Sequence, residues 1–136
     1  MGEKVETIQR QVKKGRSFAI SSIKGVESEK YVTDILDEEK KNYIAVPCKN
    51  KKANDITLDI MMKNPEVVIL EDADQVKVRE LGNVLEYLQE NNILTIILGN
   101  KEKEEENMVC SQQLFWQYII CKKYPIVNLK RKELLV

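Results

Sequence analysis

The chain has 136 residues, 43% of them apolar and 32% charged, which is the balance of one folded globular domain spanning residues 1–136. Its formal net charge is zero, so no global field favours nucleic acid, a membrane surface or an acidic partner. It contains no histidine, which excludes Ser-His and Cys-His catalytic pairs and imidazole metal ligands. Three widely spaced cysteines, Cys48, Cys110 and Cys121, read as structural thiols of a reducing, cytoplasmic setting.

Val5, Ile8 and Val12 recur at helical spacing, and Gly15 ends that first amphipathic helix after Lys13 and Lys14. Ser17 to Ile23 reads as a short strand, followed by a Lys24-Gly25 turn. A second helix begins near Ser28 and carries Val32, Ile35 and Leu36. Tyr43 to Val46 is the next strand, stopped by Pro47. After a polar loop, Asn54 is the expected N-cap of a helix carrying Ile56, Ile60 and Met61, which Asn64-Pro65 ends.

Val67-Val68-Ile69-Leu70 is four consecutive apolar residues, the pattern of a strand buried on both faces. Leu81, Val84, Leu85 and Leu88 mark an amphipathic helix starting near Val76 and broken by Asn91-Asn92. Ile93 to Leu98 is a second buried strand, with Gly99 expected to turn at positive φ. A charged run, Lys101 to Glu106, precedes a helix through Phe115, Trp116, Ile119 and Ile120. Ile126 to Leu129 is the last strand. Alternating strands and helices predict a three-layer α/β fold with a doubly wound parallel sheet of about five strands.

Ligands of open parallel sheets bind outside the carboxyl ends of the strands. Glu71, Asp72 and Asp74 directly follow a buried strand. Three carboxylates there suit a magnesium site, or equally an acidic turn that caps the following helix. Asn100, after the next strand, offers an amide to a water or a phosphate. Lys24 and Lys30 are the basic residues nearest this end, as phosphate ligands or as solvated lysines. Trp116 lies on an apolar helical stripe and reads as core or interface.

Taken together, Val67 to Asp74 resembles the Walker B segment of P-loop NTPases, closest to the AAA+ branch, and Ile93 to Asn100 is similar to its sensor-1 strand. Lys123 to Leu134 resembles that family's last strand and the start of its lid, which would lie beyond Val136. The resemblance follows the element order of most of the chain but is specific over about a dozen residues. It implies magnesium and ATP as cofactors, with Glu71, Asp72 and Asp74 about the metal. Glu71 would hold the metal's water shell and Asp72 would polarise the attacking water. The family has Asp then Glu where this chain has Glu71 then Asp72, which moves both carboxylates by about one methylene.

A phosphate loop needs Gly-rich backbone, a Lys and a Ser or Thr. The segment Ser21 to Tyr31 has one glycine, Gly25, and Glu29 and Tyr31 flank Lys30. Lys24, Gly25, Lys30 and Asn100 are what remains to contact a nucleotide. The resemblance therefore implies a degenerate domain, a non-hydrolysing binding or assembly module in a DNA-replication or other multisubunit ATPase machine. Its expected partners are other proteins or further copies of itself. Lys49 to Lys52 and Lys130 to Lys132 offer basic loops to nucleic acid, and no segment is long and apolar enough to span a membrane.

The alternative is a magnesium-dependent phosphoryl-transfer enzyme using the cluster 71–74, either Toprim-like or an unusual ATPase. Asp72 and Asp74 match the Toprim strand end, but no earlier strand ends in a glutamate. A phosphoacceptor receiver domain would need an acidic pair after the first strand, which is absent, and a lysine such as Lys130 after the last.

Overall fold

The computed structural model describes residues 3–23, 28–101 and 110–129. Lys24, Gly25, Lys130 to Lys132 and most of the Lys101 to Glu106 run lie outside them. The elements follow one another as α1 (Glu3–Lys14), β1 (Phe18–Ser22), α2 (Ser28–Glu38), β2 (Tyr43–Pro47), α3 (Ala53–Lys63), β3 (Val67–Glu71), a single 3-10 turn (Ala73–Gln75), α4 (Val78–Glu90), β4 (Leu94–Asn100), α5 (Cys110–Cys121) and β5 (Ile126–Leu129).

The five strands form one sheet in the order β2-β3-β4-β1-β5, and every pairing is parallel. The expected three-layer α/β fold is therefore present. This order differs from the 2-1-3-4-5 order of flavodoxin-like folds, to which receiver domains belong, so the receiver alternative falls.

Two apolar cores flank the sheet. Val68, Leu70 and Ile97 pack beneath α3, α4 and α5 with Ile56, Ile60, Leu81, Leu85, Phe115 and Ile119. Val67, Ile69, Ile96 and Leu98 face the opposite way and pack with Val5, Ile8 and Val12 of α1 and Val32 and Leu36 of α2. Pleat alternation explains the split, since neighbouring side chains on a strand point to opposite faces. Each fully buried aliphatic side chain contributes about 1.5–3 kcal/mol, which is why β3 carries four in a row.

Connection direction decides which helix lies on which face. From β2 the chain steps to β3, then β4, then across β1 to β5, always toward the same edge, and α3, α4 and α5 share one face. From β1 it steps the other way, to β2, and α2 lies on the other face. Crossovers of one hand require this arrangement.

Several local expectations need correction. Pro47 is the last residue of β2, and it is tolerated because β2 is an edge strand. Lys52 rather than Asn54 is the N-cap of α3, and it makes no side-chain cap bond. Asn64 does end α3, in the left-handed conformation. Met61 and Ile120 are exposed, at 58% and 60%. The helix expected near Val76 begins at Val78, because the 3-10 turn comes first.

Gly99 is not a positive-φ turn either. It lies inside β4, paired with Ser21, under the edge-to-face pair of Phe115 and Trp116. A Cβ there would meet Phe115 Cε2 at 2.8 Å and Trp116 Cζ2 at 3.0 Å. Close packing of α5 on the sheet, not backbone conformation, requires the glycine. Gly99→Ala is expected to destabilise the protein by about 1–3 kcal/mol through overpacking, measured by urea unfolding with an unchanged m-value.

Candidate functional site

The switch point of this sheet lies between β1 and β4. These neighbours pair along their length, yet the chain leaves β1 toward α2 on one face and leaves β4 toward α5 on the other. Such a divergence opens a crevice at the carboxyl ends of the strands. Ser22 and Asn100 face each other across it in register, and the Lys101 amide donates to the Ser22 carbonyl at 2.9 Å.

Pleat alternation assigns the neighbouring side chains to faces. Glu71 follows Leu70, which packs under α3–α5, so its side chain falls on the α2 face. There it hydrogen-bonds the Glu29 side chain in the first turn of α2. Two carboxyls bond only through a shared proton. The pKa of Glu71 is pushed up to about 7 by the Glu29 hydrogen bond, then by burial, then by the charges of Glu29 and Asp72. Sequence reasoning placed Glu29 beside Lys30 but did not pair it with Glu71. The signal available was the sheet topology, which brings the start of α2 beside the end of β3.

Glu71 closes β3, and Asp72 and Asp74 follow it in the turn. Asp72 adopts the left-handed conformation, φ 52°, a region that Asp tolerates better than most residues. The chain turns there, and Ala73 enters the core beneath α3–α5. Asp74 is 5% exposed, and neither of its carboxylate oxygens makes a hydrogen bond of good geometry among the described residues. Burial raises its pKa, with Asp72 adding repulsion. The amides of Asn100 and of Asp74 itself, and the Gln75 side chain, favour the charged form but are outweighed. Among the described residues, no three His, Cys, Asp or Glu side chains gather as a set that could hold a metal ion. Asp72, at the αL turn, acts by its charge on both Glu71 and Asp74.

The other expected site residues are also placed. Lys30 is exposed, one residue beyond the Glu29 that faces Glu71. Asn100 is the last residue of β4, and its carbonyl accepts the Trp116 Nε1–H at 3.1 Å, which ties α5 to the crevice floor. Trp116 is buried, as its apolar stripe indicated. The Ser21 hydroxyl donates to the Asn128 side chain across β1 and β5, a contact the sequence did not signal. Cys48 is buried and donates to the Val46 carbonyl at 3.4 Å. Burial pushes its thiol up to about 12, as befits a structural cysteine.

No protein-family model matches the chain, and no curated protein matches it. Solved structures do resemble it in fold. A Bacteroides Pif1 crystallised with ADP-AlF4 superposes with a TM-score of 0.60 at 9% identity, covering 96% of this chain and 42% of that one. A Pif1 helicase structure concerned with DNA unwinding at forked duplexes gives 0.59 at 10% identity, covering 96% and 44%. The RuvB Holliday junction branch migration motor of Thermotoga maritima gives 0.55 at 11%, covering 95% and 45%. The chain spans less than half the length of these structures, and at such identities the likeness is one of fold: a P-loop NTPase-like α/β sheet.

Two outcomes test this electrostatic arrangement. The pKa of Glu71 in the folded protein, about 7, lies above its ordinary value of 4.5. Its contribution to stability is therefore complete below pH 4.5 and is lost as pH rises through about 7. Glu71→Gln should flatten the fall in unfolding free energy across that window, measured by urea titration at half-unit pH steps. For Asp74, folded pKa raised, the sign is the same: Asp74→Asn should gain stability relative to the parent as pH rises to 8, and gain least at pH 4.

Proposed function

We propose that this chain is a P-loop NTPase-like domain that works as a non-hydrolysing binding or assembly module in a DNA-linked or other multisubunit ATPase machine. The observation that carries this reading is the Glu29–Glu71 carboxyl pair at the start of α2. In a fold of this kind the first turn of the helix after β1 is where phosphate binds, because its free amides and dipole attract anions. Here a carboxyl already stands in that turn and reaches across to the acidic end of β3.

Magnitudes favour exclusion. A helix N-terminus gives an anion about 0.3–1 kcal/mol, and ~2 kcal/mol in partly buried geometry. One carboxylate ~4 Å from a phosphate opposes it by about 4 kcal/mol per unit charge at an effective dielectric of 20. The exposed Lys30, and the lack of three carboxylates or thiols gathered as a metal-ligand set among the described residues, point the same way, since hydrolysis needs lysine, metal and water held together. The reading treats β3 and β4 as Walker B-like and sensor-1-like strands kept for the fold. The Pif1 and RuvB neighbours, named for DNA unwinding and branch migration, support the DNA-linked setting.

The test is calorimetric titration with ATP and ADP, with and without magnesium, with phosphate release followed on the same sample. The expected result is no binding at millimolar nucleotide and no turnover. A dissociation constant tighter than about 100 μM, roughly 5.5 kcal/mol of binding free energy, would overturn the reading and favour a magnesium-dependent enzyme acting through Glu71, Asp72 and Asp74.

A further inference from the structure

Every helix of this fold runs back to the amino-terminal ends of the strands, so the helix-to-strand turns gather along the edge of the sheet opposite the crevice. Two of these turns are neighbours, because β1 and β5 pair. Ala19 stands beside Ile126, and its amide donates to the Pro125 carbonyl at 2.8 Å. The α1–β1 turn carries Lys13, Lys14 and Arg16, the α5–β5 turn carries Lys122 and Lys123, and all of them are exposed. Neither turn contains an acid. Lys13 is paired with Glu39 at 3.7 Å, while Lys14, Arg16, Lys122 and Lys123 have no ion pair among the described residues. The adjoining α4 brings Glu86 and Glu90, both exposed. Positive charge is thus in excess at this corner of a chain whose formal net charge is zero.

Helix dipoles account for part of this, since Lys13 and Lys14 complement the negative end of α1. Arg16 and Lys123 lie past the last helical turns, beyond that reach. Each helix-to-strand turn also holds one residue at positive φ: Gly15, Lys40, Asn64, Asn92 and Lys123. Glycine and asparagine suit that conformation, and lysine does not. Lys123, at φ 64°, keeps its charge there at a conformational cost. Between α4 and α5 the same corner opens into a groove of about 320 Å³, lined by Asn83, Glu86, Gln89, Tyr118, Lys122 and Tyr124. Lys122 Nζ lies 5.7 Å from the centre of the Tyr118 ring. Gly82 makes room for that ring, because a Cβ there would meet the Tyr118 hydroxyl at 2.9 Å. Gln89 Nε2 donates to the Tyr124 hydroxyl at 3.2 Å, which leaves the phenol proton to donate.

Unpaired cations beside an aromatic ring and a set of amides are the equipment that holds phosphates and unpaired bases together. We propose that single-stranded nucleic acid crosses the corner formed by the α1–β1 and α5–β5 turns, with its phosphates on Lys14, Arg16, Lys122 and Lys123 and one unpaired base in the α4–α5 groove against Tyr118. Glu86 on the groove wall opposes a phosphate but accepts a hydrogen bond from the exocyclic amine of a base. A base held in a duplex cannot enter the groove, which selects the single strand. This surface lies at the opposite edge of the sheet from the crevice, so it stands whether or not the crevice excludes nucleotide.

Fluorescence anisotropy of labelled oligothymidylate and oligouridylate, titrated with the whole chain between ~50 and ~300 mM salt, tests it. The dissociation constant is expected on the order of 1–100 μM at ~150 mM salt, with a log–log salt slope of about −3 from four phosphate contacts. Arg16→Ala with Lys122→Ala, both at exposed positions, should flatten that slope by about 1.4. Tyr118→Leu should weaken binding by about fivefold or more through lost stacking. Lys123→Gly should weaken binding without lowering the melting temperature, because glycine suits the left-handed position; a merely structural lysine would leave binding unchanged. A duplex of the same length should bind more weakly than the single strand. No anisotropy change at ~300 μM protein overturns the proposal, as does binding indifferent to Arg16→Ala with Lys122→Ala. Equal affinity for duplex together with indifference to Tyr118→Leu overturns the placement of a base in the groove. Association with phosphatidylserine vesicles but with neither oligonucleotide assigns the corner to a membrane surface and overturns it too.

Discussion

A parallel sheet covered on both faces constrains the rest of this molecule. Each strand must be re-entered from the same end, so a helix has to carry the chain back each time, and crossovers of one hand send each helix to the face set by its direction of travel. With β1 placed between β4 and β5, the step from β1 to β2 runs against all the others. That single reversal puts α2 alone on its face with α1, and α3, α4 and α5 together on the other. It also places the crevice, because β1 and β4 part company there.

The same geometry sorts the polar groups. Alternation along β3 sends Glu71 toward α2, while Asp74, two residues past the αL turn at Asp72, is buried. The start of α2, which by its dipole would attract an anion, is supplied with a carboxyl of its own chain. The proposed exclusion of phosphate rests on scale: a dipole effect of about 1 kcal/mol is smaller than the repulsion of a like charge at close range.

Much of the fold was legible because its signals are local and redundant. Four apolar residues in β3 and four in β4 cannot sit half-exposed without large cost, so both strands had to be central. Gly15 ends α1 in the left-handed conformation, and Asn64 ends α3, both as their residue types suggest. Met61 and Ile120 were misassigned because an apolar residue beside a helical stripe is indistinguishable from one within it until the neighbours are known. Gly99 was misassigned for a related reason. Glycine answers two different needs, and only the rings of Phe115 and Trp116 reveal which one operates here.

The sequence by itself determined the class of fold, the order of its elements, the absence of histidine chemistry and the carboxyl ends of the strands as the place where polar groups gather. These follow from composition and from hydrophobic period, which act through neighbouring residues. Only the tertiary structure decided that Glu29 meets Glu71, that Asp74 is buried without a hydrogen bond of good geometry among the described residues, and that α3 turns an apolar face outward. Those are contacts between segments far apart in the chain, or the lack of them. Hydrophobic period states how much of a helix is apolar but not how much of it the sheet can cover, and charge spacing along a strand does not state which helix lies across from it.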